Sequence, residues 1–331
     1  MIIKTPSRLH MTLIDLNGSY GRADGGIGLT INKPNFTLRC ETSDNGVTID
    51  FNKNITDEEI KKEAIKKIND ATRKIIHYFN FEEGFHFTVE EAYPPHSGLG
   101  SGTQMSLATA KLICEFNETN IDSIGLGAIL GRGGSSGIGM GAFDHGGFIV
   151  DGGHDLKDKG GSVLPSSINP AKPPQLIGRY DFPQDWEVVV GVCKADTTVT
   201  GMREDDIFEK YCPVPNREVE QLSHIIFMNL IPFLLERNIE AVGDAINRIQ
   251  QLGFKNVEVS RQAQNVRDLM ANMRQFGVYG VGMSSFGPAV YGLIDKHNSD
   301  AFKATQEYLG DEGFVFKAKA QNHGYELEKD D

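Results

Sequence analysis

Pro94-Pro95-His96-Ser97-Gly98-Leu99-Gly100-Ser101-Gly102-Thr103 joins two segments of different periodicity. Before it, Phe85, Phe87 and Val89 alternate with His86, Thr88 and Glu90, which predicts a half-buried strand. After it, Leu107, Ala108, Ala110 and Leu112 continue without a breaker, which predicts a helix. Closely spaced glycines at a helix start let backbone N–H groups and the positive end of the helix dipole converge on an anion. The stretch therefore reads as a phosphate cradle, with Gly98, Gly100, Ser101, Gly102 and Thr103 as its anion-binding residues. A tight turn with a Ser/Thr cap and no ligand would use the same residue types. No Gly-Lys-Ser/Thr follows, so the loop is not of the Walker type. The strand also comes too late for a simple N-terminal dinucleotide-binding unit.

At 331 residues the chain exceeds what one core usually supports, and two packed domains are expected. A formal net charge of −12 offers no general attraction to nucleic acid or a membrane surface. Any anionic substrate must then be held by local Arg, Lys, metal and backbone N–H groups. Cys40, Cys114, Cys193 and Cys212 are scattered with no Cys-x-x-Cys pair, which favours a reducing cytoplasm over a disulfide framework or zinc site. No apolar run is long enough to span a bilayer, and Met1-Ile2-Ile3-Lys4 does not open a signal peptide. A cytoplasmic protein is expected.

Ile60, Ala64, Ile68, Ala71, Ile75 and Phe79 recur at helical spacing, with Thr56 and Glu59 as a capping box. Lys61, Lys62, Lys66 and Lys67 of this helix, interspersed with acids, are expected on its solvated outer face. Pro165 to Pro174 is expected to link the domains, dividing them as 1–170 and 171–331. Beyond it come a strand at 186–193 and helices near 217–237, 239–252 and 259–275. Strands at 279–283 and 289–294, a helix at 299–309 and a strand at 314–318 follow. This β-α-β-β-α-β order predicts a ferredoxin-like unit with added helices, and the acidic stretch 326–331 reads as a disordered tail.

Pro95 to Gly102 resembles the phosphate-binding motif of the GHMP superfamily, Pro-x-x-x-Gly-Leu-Gly-Ser-Ser. Gly282-Met283-Ser284-Ser285-Phe286-Gly287-Pro288 resembles its C-terminal motif, a glycine-serine turn that backs the phosphate loop. Between them, the run from Ser135 to Gly147 is similar to the Pro-Ser-Gly-Ile/Val-Asp segment of mevalonate-kinase-like members, but Gly139 stands where those kinases carry a catalytic aspartate. Glycine can neither orient nor deprotonate a hydroxyl, so another base, such as Asp144, would be needed for kinase chemistry. The opening, Thr5 to Gly18 and Gly21 to Gly28, resembles the β-ribofuranosylaminobenzene 5′-phosphate synthases. So do Gly131-Arg132-Gly133-Gly134, Ala142 to Gly147 and Asp151-Gly152-Gly153-His154.

The resemblance implies an α+β fold of two domains, an N-terminal ribosomal-protein-S5-like domain and a C-terminal ferredoxin-like domain. It also implies an early step of tetrahydromethanopterin synthesis, a pentosyl transfer. Phosphoribosyl diphosphate is joined to 4-aminobenzoate or 4-hydroxybenzoate through carbon, releasing carbon dioxide and diphosphate. Mg²⁺ is expected, without ATP or pyridoxal phosphate, and the alternative is an ATP-dependent small-molecule kinase. A homodimer is expected.

Arg8 and Arg22 flank the first glycine-rich region and suit phosphate or carboxylate through their planar forks. Asp24 and Asp15 are candidates for metal or ribose hydroxyls, although short acids beside glycine also form turns; Asp24 is preferred because Asp15 sits in an apolar run. Asp144 and His145, in a glycine-framed loop, form the best acid/base or metal-binding pair. Thus Arg8, Asp24, Asp144 and His145 are the catalytic candidates, and Asp24 and Asp144 the metal ligands. His10, His154, Arg22 and Arg132 are further binding candidates, and Arg203 a loop residue able to reach the cleft.

Overall fold

Two β-sheets, each covered by helices, are built from alternating and continuous apolar segments of the kind that sequence periodicity selects. The computed structural model describes residues 1–194 and 204–329, the Glu204 side chain excepted; Arg203 lies outside the described residues. In the first sheet, β1 (Ile2–Asp15) and β2 (Arg22–Ser43) pair antiparallel from Ile2 opposite Arg39 to Asp15 opposite Asp24. The distal half of β2 pairs with β4 (Gly84–Glu91), which runs parallel to β3 (Val47–Phe51). The proximal half of β2 pairs with β5 (Phe148–Asp151) and β6 (His154–Asp155).

Helices α1 (Glu58–Phe79), α2 (Ser101–Phe116), α3 (Ser123–Leu130) and α4 (Ile138–Asp144) belong to this first unit. α1 buries Ile60, Ala64, Ile68, Ala71 and Ile75, the face its spacing predicts. Asp57, not Thr56, caps it, accepting from the amides of Glu59 and Ile60 at 2.8 and 3.2 Å.

The second sheet contains β8 (Glu187–Cys193), β9 (Tyr279–Met283), β10 (Ala289–Ile294) and β11 (Gly313–Ala318) in the order β11-β8-β10-β9, all antiparallel. That order is the ferredoxin-like split unit the sequence predicts. The helical insertion after β8 comprises α5 (Glu204–Tyr211), α6 (Asn216–Ile225), a π-helical turn at Ile226–Leu230, α7 (Ile231–Leu235), α8 (Ile239–Ile249), α9 (Gly253–Ser260) and α10 (Gln264–Gln275). The helix expected over 259–275 is therefore α10, with α9 a separate helix before it. α11 (Asp300–Leu309) completes the unit. Among the described residues, no helix is long and apolar enough to cross a membrane.

Two expectations change. The proline stretch is packed rather than a free linker: Pro173 and Pro174 are buried, and β7 (Leu176–Tyr180) then adds to β5, so the first sheet draws on residues beyond 170. The acidic end is not wholly a tail, because β12 (Glu326–Glu328) pairs with Ile2–Lys4 of β1. Backbone pairing there overrides the polar composition that suggested disorder.

The excursion after β6 is tied down by a buried ionic cluster. Lys159 donates to both carboxylate oxygens of Asp24 at 3.0 and 2.8 Å, and its side chain is fully enclosed. The His154 ring bridges the same carboxylate, 2.5 Å from Nδ1, and the Lys172 carbonyl, 2.8 Å from Nε2. Removing one member of a buried pair leaves an uncompensated charge. Lys159→Met is expected to destabilise the protein by about 3 kcal/mol in urea denaturation, and Asp24→Asn combined with Lys159→Met by less than the two single losses added.

Candidate active site

The glycine loop lies where the two domains meet. Its N-cap residue, Gly100, has φ +87°. The Thr103 amide donates to the Gly100 carbonyl at 3.2 Å, while no side chain caps the first turn of α2, the arrangement by which helix starts receive anions. Gly98 has φ +86°, and a Cβ on it would fall 2.5 Å from the Ser284 carbonyl oxygen. The loop is fastened from both sides. Arg8 Nη1 and Ser284 Oγ donate to the Gly98 carbonyl at 2.5 and 2.6 Å. The amides of Arg8 and Ala289 donate to the carbonyls of Leu99 and Ser97 at 3.1 and 3.2 Å. A glycine-serine turn of the second domain thus backs the phosphate loop of the first.

A buried ion pair braces that turn. Lys255, fully enclosed on α9, donates to the carbonyls of Met283 and Ser285 at 3.3 and 3.2 Å and to Glu258 Oε2 at 2.5 Å. Burial holds the Lys255 ammonium below its usual value and the Glu258 carboxyl above its own.

The resulting cleft has a volume of about 630 Å³. Its walls include Arg8, the loop from Gly98 to Thr103 without Leu99, Arg132, and from the second domain Lys194, Gln262 and Asn265. Arg8, Gly98, Gly100, Ser101, Gly102, Thr103 and Arg132 are therefore brought together as the sequence suggests. Lys67 and Glu63 line it too, a correction to the solvated face expected for Lys67. The stripe Glu63, Lys67, Asp70 and Lys74 flanks the apolar face of α1 and is joined by ion pairs of 3.2 Å (Lys67 to Glu63) and 2.9 Å (Lys74 to Asp70). That alternating stripe, one position off the buried face, is the signal a reading of net charge passes over.

His10 lies one pleat repeat from Arg8, behind the cleft. Its Nε2 is 3.2 Å from Ser136 Oγ, whose hydroxyl donates to Asp151 Oδ2 at 3.1 Å. Asp151 also accepts from the amides of Gly137 and Gly153 at 2.9 and 3.0 Å. With the serine proton committed to Asp151, His10 donates from Nε2, and its buried Nδ1 has no hydrogen-bond partner among the described residues. Burial, then the charges of Arg8 and Lys255, hold the imidazole well below its usual value and hence neutral at pH 7.

The other candidates lie elsewhere. Asp144 and His145 sit at the C-terminal end of α4, opposite the end that meets the loop. Asp144 accepts from the Ser123 amide at 3.1 Å, and both residues line a separate groove with Arg179 and His323. Asp24 and His154 are committed to the cluster around Lys159. Arg22 spends its guanidinium on the carbonyls of Gly152 and Gly153, at 2.8 to 3.1 Å. Asp15 accepts from the amides of Asn17 and Gly18, both at 2.8 Å, and is a turn former. Their glycine-rich setting marks tight turns, which sequence alone does not distinguish from ligand approach. Among the described residues no group of three His, Cys, Asp or Glu side chains is placed to cage a metal, and Glu63, paired with Lys67 at 3.2 Å, is the one carboxylate lining the cleft; a Mg²⁺ carried by substrate phosphates needs no more than one or two such groups.

At 139, a Cβ would fall 2.9 Å from Thr103 Cγ2, so the loop threonine occupies the space a larger residue would need. Gln104 Nε2 holds the Gly139 carbonyl at 2.9 Å.

Two domains sharing a glycine-loop anion cleft define a protein of the GHMP class. Residues 59–150 match the family model "GHMP kinases N terminal domain", and residues 230–307 match "GHMP kinases C terminal". The chain is similar in fold to a crystal structure of mevalonate kinase, with a TM-score of 0.68, 15% identity and coverage of 98% and 100% of the two chains. It is likewise similar to homoserine kinase from Cytophaga hutchinsonii, with a TM-score of 0.67, 14% identity and coverage of 98% and 96%. It is 45% identical to the β-ribofuranosylphenol 5′-phosphate synthase of Methanothermobacter thermautotrophicus, over 98% of this chain and 97% of the relative. It is 42% identical to the protein of the same name from Methanocaldococcus jannaschii, over 99% and 100%. The chain belongs to the β-ribofuranosylphenol 5′-phosphate synthase family.

Burial, partly offset by hydrogen bonds from Gly153, Gly137 and Ser136, raises the Asp151 carboxyl to about 6. The folded protein therefore keeps this proton across a pH range in which the unfolded chain loses it. The contribution of Asp151 to stability falls as pH rises from about 4 to about 6, by about 3 kcal/mol in all. Urea titrations across that range are expected to show this component in the native protein and not in Asp151→Asn.

Proposed function

We propose that the protein joins phosphoribosyl diphosphate to a 4-substituted benzoate, forming a carbon–carbon bond and releasing carbon dioxide and diphosphate. The observation that carries this reading is near-full-length identity of 38–45% to three β-ribofuranosylphenol 5′-phosphate synthases. A phenol product follows from 4-hydroxybenzoate on loss of its carboxylate, so the relatives' name favours that acceptor over 4-aminobenzoate. The step belongs to tetrahydromethanopterin synthesis in this reading.

In the reaction, the bond from ribose C1 to the diphosphate oxygen breaks, and both of its electrons leave with diphosphate. Positive charge develops at C1 and is shared with the ring oxygen. The ring carbon bearing the carboxylate attacks C1, helped by electrons from the para oxygen. The carbon-to-carboxylate bond then breaks, carbon dioxide departs, and its electrons restore the aromatic ring. No external electron carrier is required. The protein's task is to stabilise charge on the leaving group and hold C1 against the acceptor. The loop amides and the cations around the cleft suit the first task.

ATP-dependent phosphotransfer is the competing reading, and the contact between Gly139 and Thr103 weighs against it. Without ATP, protein given phosphoribosyl diphosphate, Mg²⁺ and carboxyl-labelled 4-hydroxybenzoate is expected to release labelled carbon dioxide in step with a ribosylated phenol. Absence of release with both this acid and 4-aminobenzoate, from folded protein, would overturn the reading. Gly139→Asp is expected to gain no ADP-forming activity with ATP, measured by coupled assay, because a side chain there meets Thr103.

A further inference from the structure

We infer that the diphosphate is held by fixed cations of the chain itself, with Lys67 and Arg132 taking its outer phosphate while the loop amides and Arg8 take the phosphate bonded to ribose. The inference rests on phosphoribosyl diphosphate being the substrate.

Lys67 comes from α1 and Arg132 from the turn after α3, so the two approach the loop from separate elements and both line the cleft. The Lys67 stem lies across the start of α2: its Cε is 3.3 Å from where a Cβ on Gly102 would be. That places the ammonium beside the amides of the first helical turn. Arg132 is half-buried, and among the described residues no hydrogen bond or ion pair is made to its guanidinium, although the Asp70 and Glu63 carboxylates lie close enough to act on its charge. Burial lowers both groups, and the charge of Arg132 further lowers Lys67, so the two cations feel each other.

With Arg8 beneath the loop and Lys194 at the rim, four cations face one carboxylate in a chain of formal net charge −12. Crowding like charges in a partly desolvated cleft is unfavourable unless an anion separates them. One phosphate group suffices for the loop amides, as at other helix starts. The additional pair on the outer wall fits the second phosphate of a diphosphate. Placed on the outer wall of the cleft, these side chains put positive charge where negative charge develops on the leaving group. A divalent ion carried by the substrate's own phosphates is part of the substrate.

Calorimetry with inorganic diphosphate in EDTA, on the full chain, tests this without turnover. The native protein is expected to bind, and Lys67→Met and Arg132→Met each to weaken binding by about tenfold or more, with Lys67→Arg retaining most of it. Binding of inorganic monophosphate is expected to change by less than about threefold in these variants, and Lys62→Met, on the exposed side of α1, to bind both anions normally. Melting temperatures of the variants check that they are folded. Diphosphate binding that requires added Mg²⁺, or that is indifferent to both substitutions, would overturn the inference even if carbon dioxide is released. Normal diphosphate binding with no carbon dioxide release would overturn the synthase reading while leaving the anion site standing.

Discussion

Everything in the cleft depends on the Gly98 carbonyl being reached from two domains at once. Arg8 of β1 and Ser284 of the turn before β10 converge on that one oxygen, across separations of 90 and 186 residues. Neither contact survives a side chain at 98, because a Cβ there would enter the Ser284 backbone. The glycine is thus required by the join between domains. The loop's shape is consequently a property of the assembled molecule, not of the local sequence alone, and the buried Lys255 brace shows the second domain contributing to it from behind.

Gly139 leaves room for its neighbours to close over it: Thr103, in the first turn of α2, places its methyl group against the space a Cβ at 139 would take, and Gln104 secures the Gly139 carbonyl. The fold is shared with mevalonate and homoserine kinases, and behind the cleft His10, Ser136 and Asp151 form a hydrogen-bonded chain. A fold of this kind can be kept while the groups beside its glycine loop differ.

The elements legible in the sequence are those written in periodicity and punctuation. β4, the start of α2, the apolar face of α1 and the strands 279–283 and 289–294 follow directly from alternation, glycine and helical spacing. The glycine turn between β4 and α2 was legible because several residue types had to coincide within ten positions. Asp24, His154, Asp144 and His145 show the opposite case. Their residue chemistry suits catalysis, but long-range packing commits Asp24 and His154 to Lys159 and sends the other two to the far end of α4. Lys67 fails in the other direction: its place in the stripe beside the apolar face marks it as flanking the core, but that it faces a cleft is decided by α2 and Arg132 from elsewhere in the chain.

The pairing of β12 with Ile2–Lys4 brings the chain back to its own beginning. β1, which carries Arg8 to the loop, keeps one edge of its first residues unpaired until residue 328 has been made, long after the rest of its sheet is available. The N-terminal sheet therefore encloses the ferredoxin-like unit in sequence: its first strand is made before that unit and its last strand after it. The two ends of the chain are thereby joined in one sheet, and the ferredoxin-like unit is held inside the loop that this pairing closes.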